Sequence, residues 1–195
     1  MSSPAAPLLF TMQARHRILA AMNWGERAKK TTIIDHIVGT NQQHDLDLSC
    51  FVYDADGNYI DFVGPMAQDS MDQSGAIYHS GDDATGSGDN DDEAISCELA
   101  RVPDDVAQII FVVEIRSKHI FADIAKPEFR IADGMGGKNL VTLSVAKGGN
   151  KDKSACVLVK IFRGASPTGW LYQIIDDYPA IDDVPDWGGY LSRHL

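Results

Sequence analysis

Asp45-Leu46-Asp47-Leu48-Ser49-Cys50-Phe51-Val52-Tyr53-Asp54, followed by Ala55-Asp56-Gly57-Asn58 and then Tyr59-Ile60-Asp61-Phe62-Val63, reads as two strands joined by a tight turn. The first half of the leading strand alternates, with Leu46 and Leu48 on one face and Asp45 and Asp47 on the other. From Cys50 onward the residues are apolar on both faces, so one end of the strand is expected wet and the other buried. Asp56-Gly57 accepts the positive φ that such a hairpin demands.

The same grammar recurs along the chain. Ala76–His79 is a brief strand, and Ala94–Leu99 alternates with Ile95, Cys97 and Leu99 on one face. Ile109-Ile110-Phe111-Val112-Val113-Glu114-Ile115 is the most apolar run and is expected at the centre of the core. Phe129–Asp133 and Leu140–Val145 flank a Gly-rich turn, while Val157–Arg163 and Trp170–Ile175 form a last hairpin. Ile18–Trp24 is apolar, and a helix over 12–22 is the weaker alternative there. Short strands at regular spacing with little helical periodicity predict an all-β, two-sheet sandwich with long loops and minor helical turns. Residues 1–178 are read as one domain. Residues 179–195, acidic and holding Pro179 and Pro185, are expected to be a poorly structured tail.

Between two of these strands lies Gly81-Asp82-Asp83-Ala84-Thr85-Gly86-Ser87-Gly88-Asp89-Asn90-Asp91-Asp92-Glu93, with six carboxylates, three glycines and no base. Two like charges about 4 Å apart oppose each other by roughly 1 kcal/mol in water and about 4 kcal/mol near a protein surface. A hard cation would justify gathering them, since calcium takes about 6–8 oxygen ligands in flexible geometry. Asp45 and Asp47 share a strand face, and the same parity puts Asp91 and Glu93 together. Should the two strands approach, four carboxylates converge, with Asp82, Asp83 and Asp89 closing the shell from the turn. Thr85, Gly86 and Ser87 can add hydroxyl or carbonyl oxygens, and Asp92 completes the acidic run. That inventory suffices for one or two calcium ions. The spacing is not that of an EF-hand, and no Cys or His pair has zinc-ligand spacing.

Composition narrows the functional classes. The chain of 195 residues carries 17 bases and 28 acids, a net charge of −11; setting the acidic loop aside leaves −5. Such a balance argues against nucleic acid, whose phosphates need a basic face. Cys50, Cys97 and Cys156 are odd in number and embedded in apolar runs, which fits buried thiols in a reducing compartment. No signal peptide or run of about 20 apolar residues is found, so the protein is expected in the cytoplasm, at most peripheral to a membrane.

The sequence also resembles the TerD-like family, associated with tellurium resistance and general stress response. The resemblance rests on Asp45-Leu46-Asp47-Leu48-Ser49, on His79-Ser80-Gly81-Asp82-Asp83-Ala84-Thr85-Gly86 and on Gly88-Asp89-Asn90-Asp91-Asp92-Glu93. It continues through Val102–Val106, the Ile109–Ile115 strand and Phe162-Arg163 with Trp170, over roughly residues 8–178. It implies a calcium-binding β-sandwich with ligands in the Asp-Leu-Asp segment and the acidic loop. The chain departs from that pattern at Asp83, where Asn is common, at Ser87, where an acid is common, and at Asn90, where Gly is frequent. Segment 116–128 and the N-terminal third match loosely, and the tail after Tyr178 has no counterpart.

The resulting expectation is a calcium-binding stress or resistance protein acting as a non-enzymatic interaction module. Its partners would be other resistance proteins, in a membrane-associated complex. The alternative is a metal-dependent hydrolase built on the carboxylate cluster. For that, the sequence offers neither a nucleophile elbow nor a phosphate-cradling Gly loop. A calcium-dependent phospholipid module ranks last, because the loop lacks flanking bases and apolar tips. His79 and His119 are read as satisfied or exposed side chains, not catalytic bases.

Overall fold

The computed structural model describes residues 8–10, 17–25, 46–80, 91–116, 119–134, 137–164 and 169–195. They contain β1 (Leu8–Phe10), β2 (Arg17–Gly25), β3 (Leu46–Tyr53), β4 (Tyr59–Val63), β5 (Ile77–His79) and β6 (Glu93–Glu98). β7 (Gln108–Ile115), β8 (Ala125–Asp133), β9 (Asn139–Ser144), β10 (Ala155–Arg163), β11 (Trp170–Asp177) and a short helix, α1 (Trp187–Leu191), follow. A six-stranded sheet runs β1-β11-β10-β7-β3-β4 and a five-stranded sheet runs β5-β6-β2-β8-β9. Every pairing is antiparallel. The expected all-β sandwich is what the chain forms.

Alternation assigns the faces. Leu46, Leu48, Cys50 and Val52 of β3 join Ile109, Phe111 and Val113 of β7 in the core between the sheets. From the other sheet come Ile18, Ala20, Met22, Ile95, Cys97, Phe129 and Ile131. β7 lies between β10 and β3, which explains its unbroken apolar run. Cys50, Cys97 and Cys156 are free thiols in this interior, and burial raises the pKa of each. At the β3–β4 hairpin Gly57 takes φ 83°, and the Asp54 carboxylate accepts from the amides of Asp56 and Asn58 at 2.9 and 2.8 Å.

Two readings need correction. The segment offered as a helix over 12–22 is strand β2 from Arg17 onward. It lies between β6 and β8, where a two-sided partnership overrides any helical preference. The tail is also ordered. Asp186 caps α1 by accepting from the Gly189 amide at 2.6 Å, and Tyr190 and Leu191 are buried. They pack with Phe51, Tyr53, Ile110, Val112 and Val157 in a second cluster on the outer face of the six-stranded sheet. The Tyr53 hydroxyl donates to the Gly188 carbonyl, and Lys160 Nζ donates to the His194 carbonyl at 2.6 Å. That cover is why β3 and β7 are apolar on both faces. Among the described residues no helix is long and apolar enough to cross a membrane.

Candidate metal centre

Ser80 and Ala94, on either side of the acidic stretch, are bonded to each other. The Ser80 amide donates to the Ala94 carbonyl at 2.8 Å, and the Ala94 amide returns to Ser80 Oγ at 3.2 Å. Asp45, Asp82, Asp83, Thr85, Gly86 and Asp89 lie outside the described residues. Asp91, Asp92 and Glu93 form the foot of the stretch at the start of β6, and Asp47 sits nearby on β3.

Glu93 shares its inward parity with Ile95 and Cys97 and is fully buried. β4 ends opposite Cys50, so the Leu48 amide lies beyond the last β3–β4 pair. Glu93 reaches across the sandwich and accepts that amide at Oε2, 2.5 Å away. His79 Nε2 of β5 stands 3.5 Å from the same oxygen. Oε1 is buried with no hydrogen-bond partner among the described residues. Burial pushes the carboxyl up to about 7, against the pull of His79 and the Leu48 amide, and the nearby Asp47 charge pushes it further up. A buried carboxylate oxygen left uncompensated costs several kcal/mol, and either a proton or a cation relieves it.

The neighbouring acids differ in how they are held. Asp92 is buried, and its Oδ2 accepts from the Trp24 amide at 2.7 Å, fastening the foot to β2. Asp47 is buried and ion-paired with Arg116 Nε. Asp91 accepts two bonds from Arg130, Nε to Oδ1 at 2.8 Å and Nη2 to Oδ2 at 2.5 Å. The hydrogen bonds to Asp91, aided by its charge and against partial burial, hold the Arg130 pKa above its ordinary value. Asp91 therefore does not join Glu93 as the parity argument expects. The chain bends at Asp92, and strand alternation starts only at Glu93.

β3 and β6 do approach, through the Glu93–Leu48 bond. Among the described residues, however, no group of three or more His, Cys, Asp or Glu side chains is arranged to hold an ion. The donor chemistry of Glu93, Asp92 and Asp47 still fits a hard cation, since all three are buried carboxylates and the sequence leading into Asp92 carries more. The sequence reading missed Arg116 and Arg130. The available signal was a lone base in the apolar run Phe129-Arg130-Ile131-Ala132.

A two-sheet antiparallel sandwich whose β5–β6 connection is acidic in sequence defines a class, and the comparisons agree on which. The TerD domain family model matches residues 7–175, and the chain belongs to that family. It is 33% identical to tellurium resistance protein TerZ of Serratia marcescens over 129 residues, 66% of this chain and 65% of the relative. It is 35% identical to tellurium resistance protein TerD of an Alcaligenes species over 108 residues, 54% of this chain and 50% of that one. The matched regions thus span between half and just under two thirds of these relatives' length. A solved homologue of telluride resistance protein (TerD) from Streptomyces coelicolor A3(2) superposes with a TM-score of 0.63. It covers 85% of this chain and 94% of its own at 21% identity, a likeness of fold. The family match stops before α1.

Proposed function

We propose that the protein binds calcium through the foot of the acidic stretch, and that the ion orders the stretch into a surface for partner proteins. One observation carries this reading: Glu93 is wholly buried, accepts one amide, and has no hydrogen-bond partner for Oε1 among the described residues, at the end of a sequence rich in further carboxylates. Glu93 and Asp92 would supply ligands from the framework, and Asp47 would join them on releasing Arg116. Asp45, Asp82, Asp83, Thr85, Gly86 and Asp89 would supply the remainder, for one or two ions. Asp91, matched by Arg130, would contribute only on releasing that partner. The ion's contribution is charge neutralisation and ordering, with no reaction attached. The names of the TerZ and TerD relatives support a place in tellurium resistance, and that of general stress protein 16U of Bacillus subtilis a place in stress response; a cytoplasmic location beside other resistance proteins is part of the same proposal.

The test is calcium titration by calorimetry on wild type and Glu93→Gln, with melting curves in calcium and in chelator. A ligand present at a hundredfold excess over Kd stabilises by about 2.7 kcal/mol, so the wild type should melt clearly higher with calcium. Identical melting curves, with no heat of binding, would remove the proposal.

A further inference from the structure

Segments 121–127 and 145–151 line an open groove of about 410 Å³ at the end of the sandwich where Gly25 of β2 pairs with Ala125 of β8. That volume suits a small organic ligand. Its floor is apolar and buried, formed by Phe121, Ile124 and Val145. Its rim carries Lys126, Lys147 and Lys151, all exposed. None of the three is ion-paired among the described residues, and no described carboxylate lines the groove. Asp123, on the same wall, is turned to the Ile120 amide at 3.2 Å and to His119 Nδ1 at 3.5 Å. In a chain with 28 acids and 17 bases, an all-lysine rim over an apolar floor runs against the composition.

The walls are fixed to each other. The Val145 amide donates to the Pro127 carbonyl at 2.9 Å, and the Ala122 amide to the Lys151 carbonyl at 2.7 Å. The Ala146 amide donates to the Tyr178 hydroxyl at 2.7 Å, and the Tyr178 ring stands edge-on to Phe121 at 6.0 Å. Both walls also hold a side-chain-bearing residue in the left-handed region, Lys126 at φ 50° and Ala146 at φ 59°. Such conformations cost energy and cluster at functional sites. The groove is thus preformed, with cationic heads above a greasy floor.

We infer that this groove binds a small amphiphilic anion, its phosphate or carboxylate head against Lys126, Lys147 and Lys151 and its apolar part on Phe121, Ile124 and Val145. Neither half suffices: exposed lysines alone hold anions weakly, and the floor alone gives no orientation. The groove shares no lining residue with the proposed calcium ligands, and the inference does not rest on the calcium reading.

The test is amide-resolved NMR titration of the calcium-supplemented protein with phenyl phosphate, methyl phosphate and phenol. Phenyl phosphate should give saturable shifts at Ala122, Ala146 and Gly148, with a Kd at least about tenfold below either fragment. Lys147→Gln combined with Lys151→Gln should weaken it about tenfold, and Ala122→Glu, an exposed position in the groove, should abolish it. These substitutions are on the surface, so unchanged spectra elsewhere report an intact fold. No saturable shift, an affinity equal to that of methyl phosphate, or shifts indifferent to the variants would each overturn the inference.

Discussion

Glu93 on β6 accepts the backbone amide of Leu48 on β3, 2.5 Å away, across the interior between the two sheets. A fully buried carboxylate is thereby part of the framework and of the proposed ion site at once. Replacing it separates the two roles. Glu93→Gln keeps a carbonyl for the Leu48 amide and removes the charge. The variant is expected to fold, to melt at least as high as the metal-free wild type above neutral pH, and to lose most of its calcium response. Paired melting curves in chelator and in calcium measure this; a full calcium response in the variant would take Glu93 out of the ligand set.

The same group sets a pH dependence. Its pKa is raised from 4.5 to about 7, so between those values the folded protein holds a proton that the unfolded chain releases. The sign follows: this contribution to stability is fully present below 4.5 and is lost as pH rises through about 7. It amounts to on the order of 3 kcal/mol in metal-free protein. Calcium takes the ionised form, so its affinity should climb over the same window. Urea midpoints of wild type and Glu93→Gln, compared across that range, isolate the effect; parallel pH profiles would contradict it.

Arg130 is expected to matter for stability. Arg130→Met leaves the Asp91 carboxylate, whose side chain is 17% exposed, without its two charge-assisted bonds. The expected loss is about 1–3 kcal/mol, and Asp91→Asn in the same chain should recover part of it. A double-mutant cycle by chemical denaturation checks the coupling; additive losses would show that the pair contributes nothing.

The C-terminal cover is expected to be structural. Leu191 is fully buried against the outer face of the six-stranded sheet, so Leu191→Ala should cost about 2–5 kcal/mol. Deleting residues 187–195 uncovers Phe51, Ile110 and Val112, and should promote self-association visible by size-exclusion chromatography. A truncated chain as monomeric and as stable as the parent would mean that the cover is dispensable.

Much of the sandwich was legible in the sequence because strands alternate with period two and hairpins need special φ. Tyr59–Val63 was read with its observed limits, and Asp56-Gly57 marked its turn. β8 extends back to Ala125, four residues before the expected start, because Gly25 of β2 pairs there through a bulge that no local pattern announces. The acidic stretch was equally plain, since unpaired like charges are their own signal. Which carboxylate each partner takes was not: Asp91 goes to Arg130 and Glu93 to Leu48, partners 39 and 45 residues away. The two-sided apolar character of Phe51 and Ile110 was visible too, but its cause was not. Covering that face required α1, about 140 residues from Phe51, and its burial is a tertiary event. Local chemistry thus determined strands, turns and the concentration of charge. Only the packing of the two sheets decided which charges are matched, which is buried, and what closes the outer face, because desolvation and pairing depend on neighbours that sequence distance does not encode.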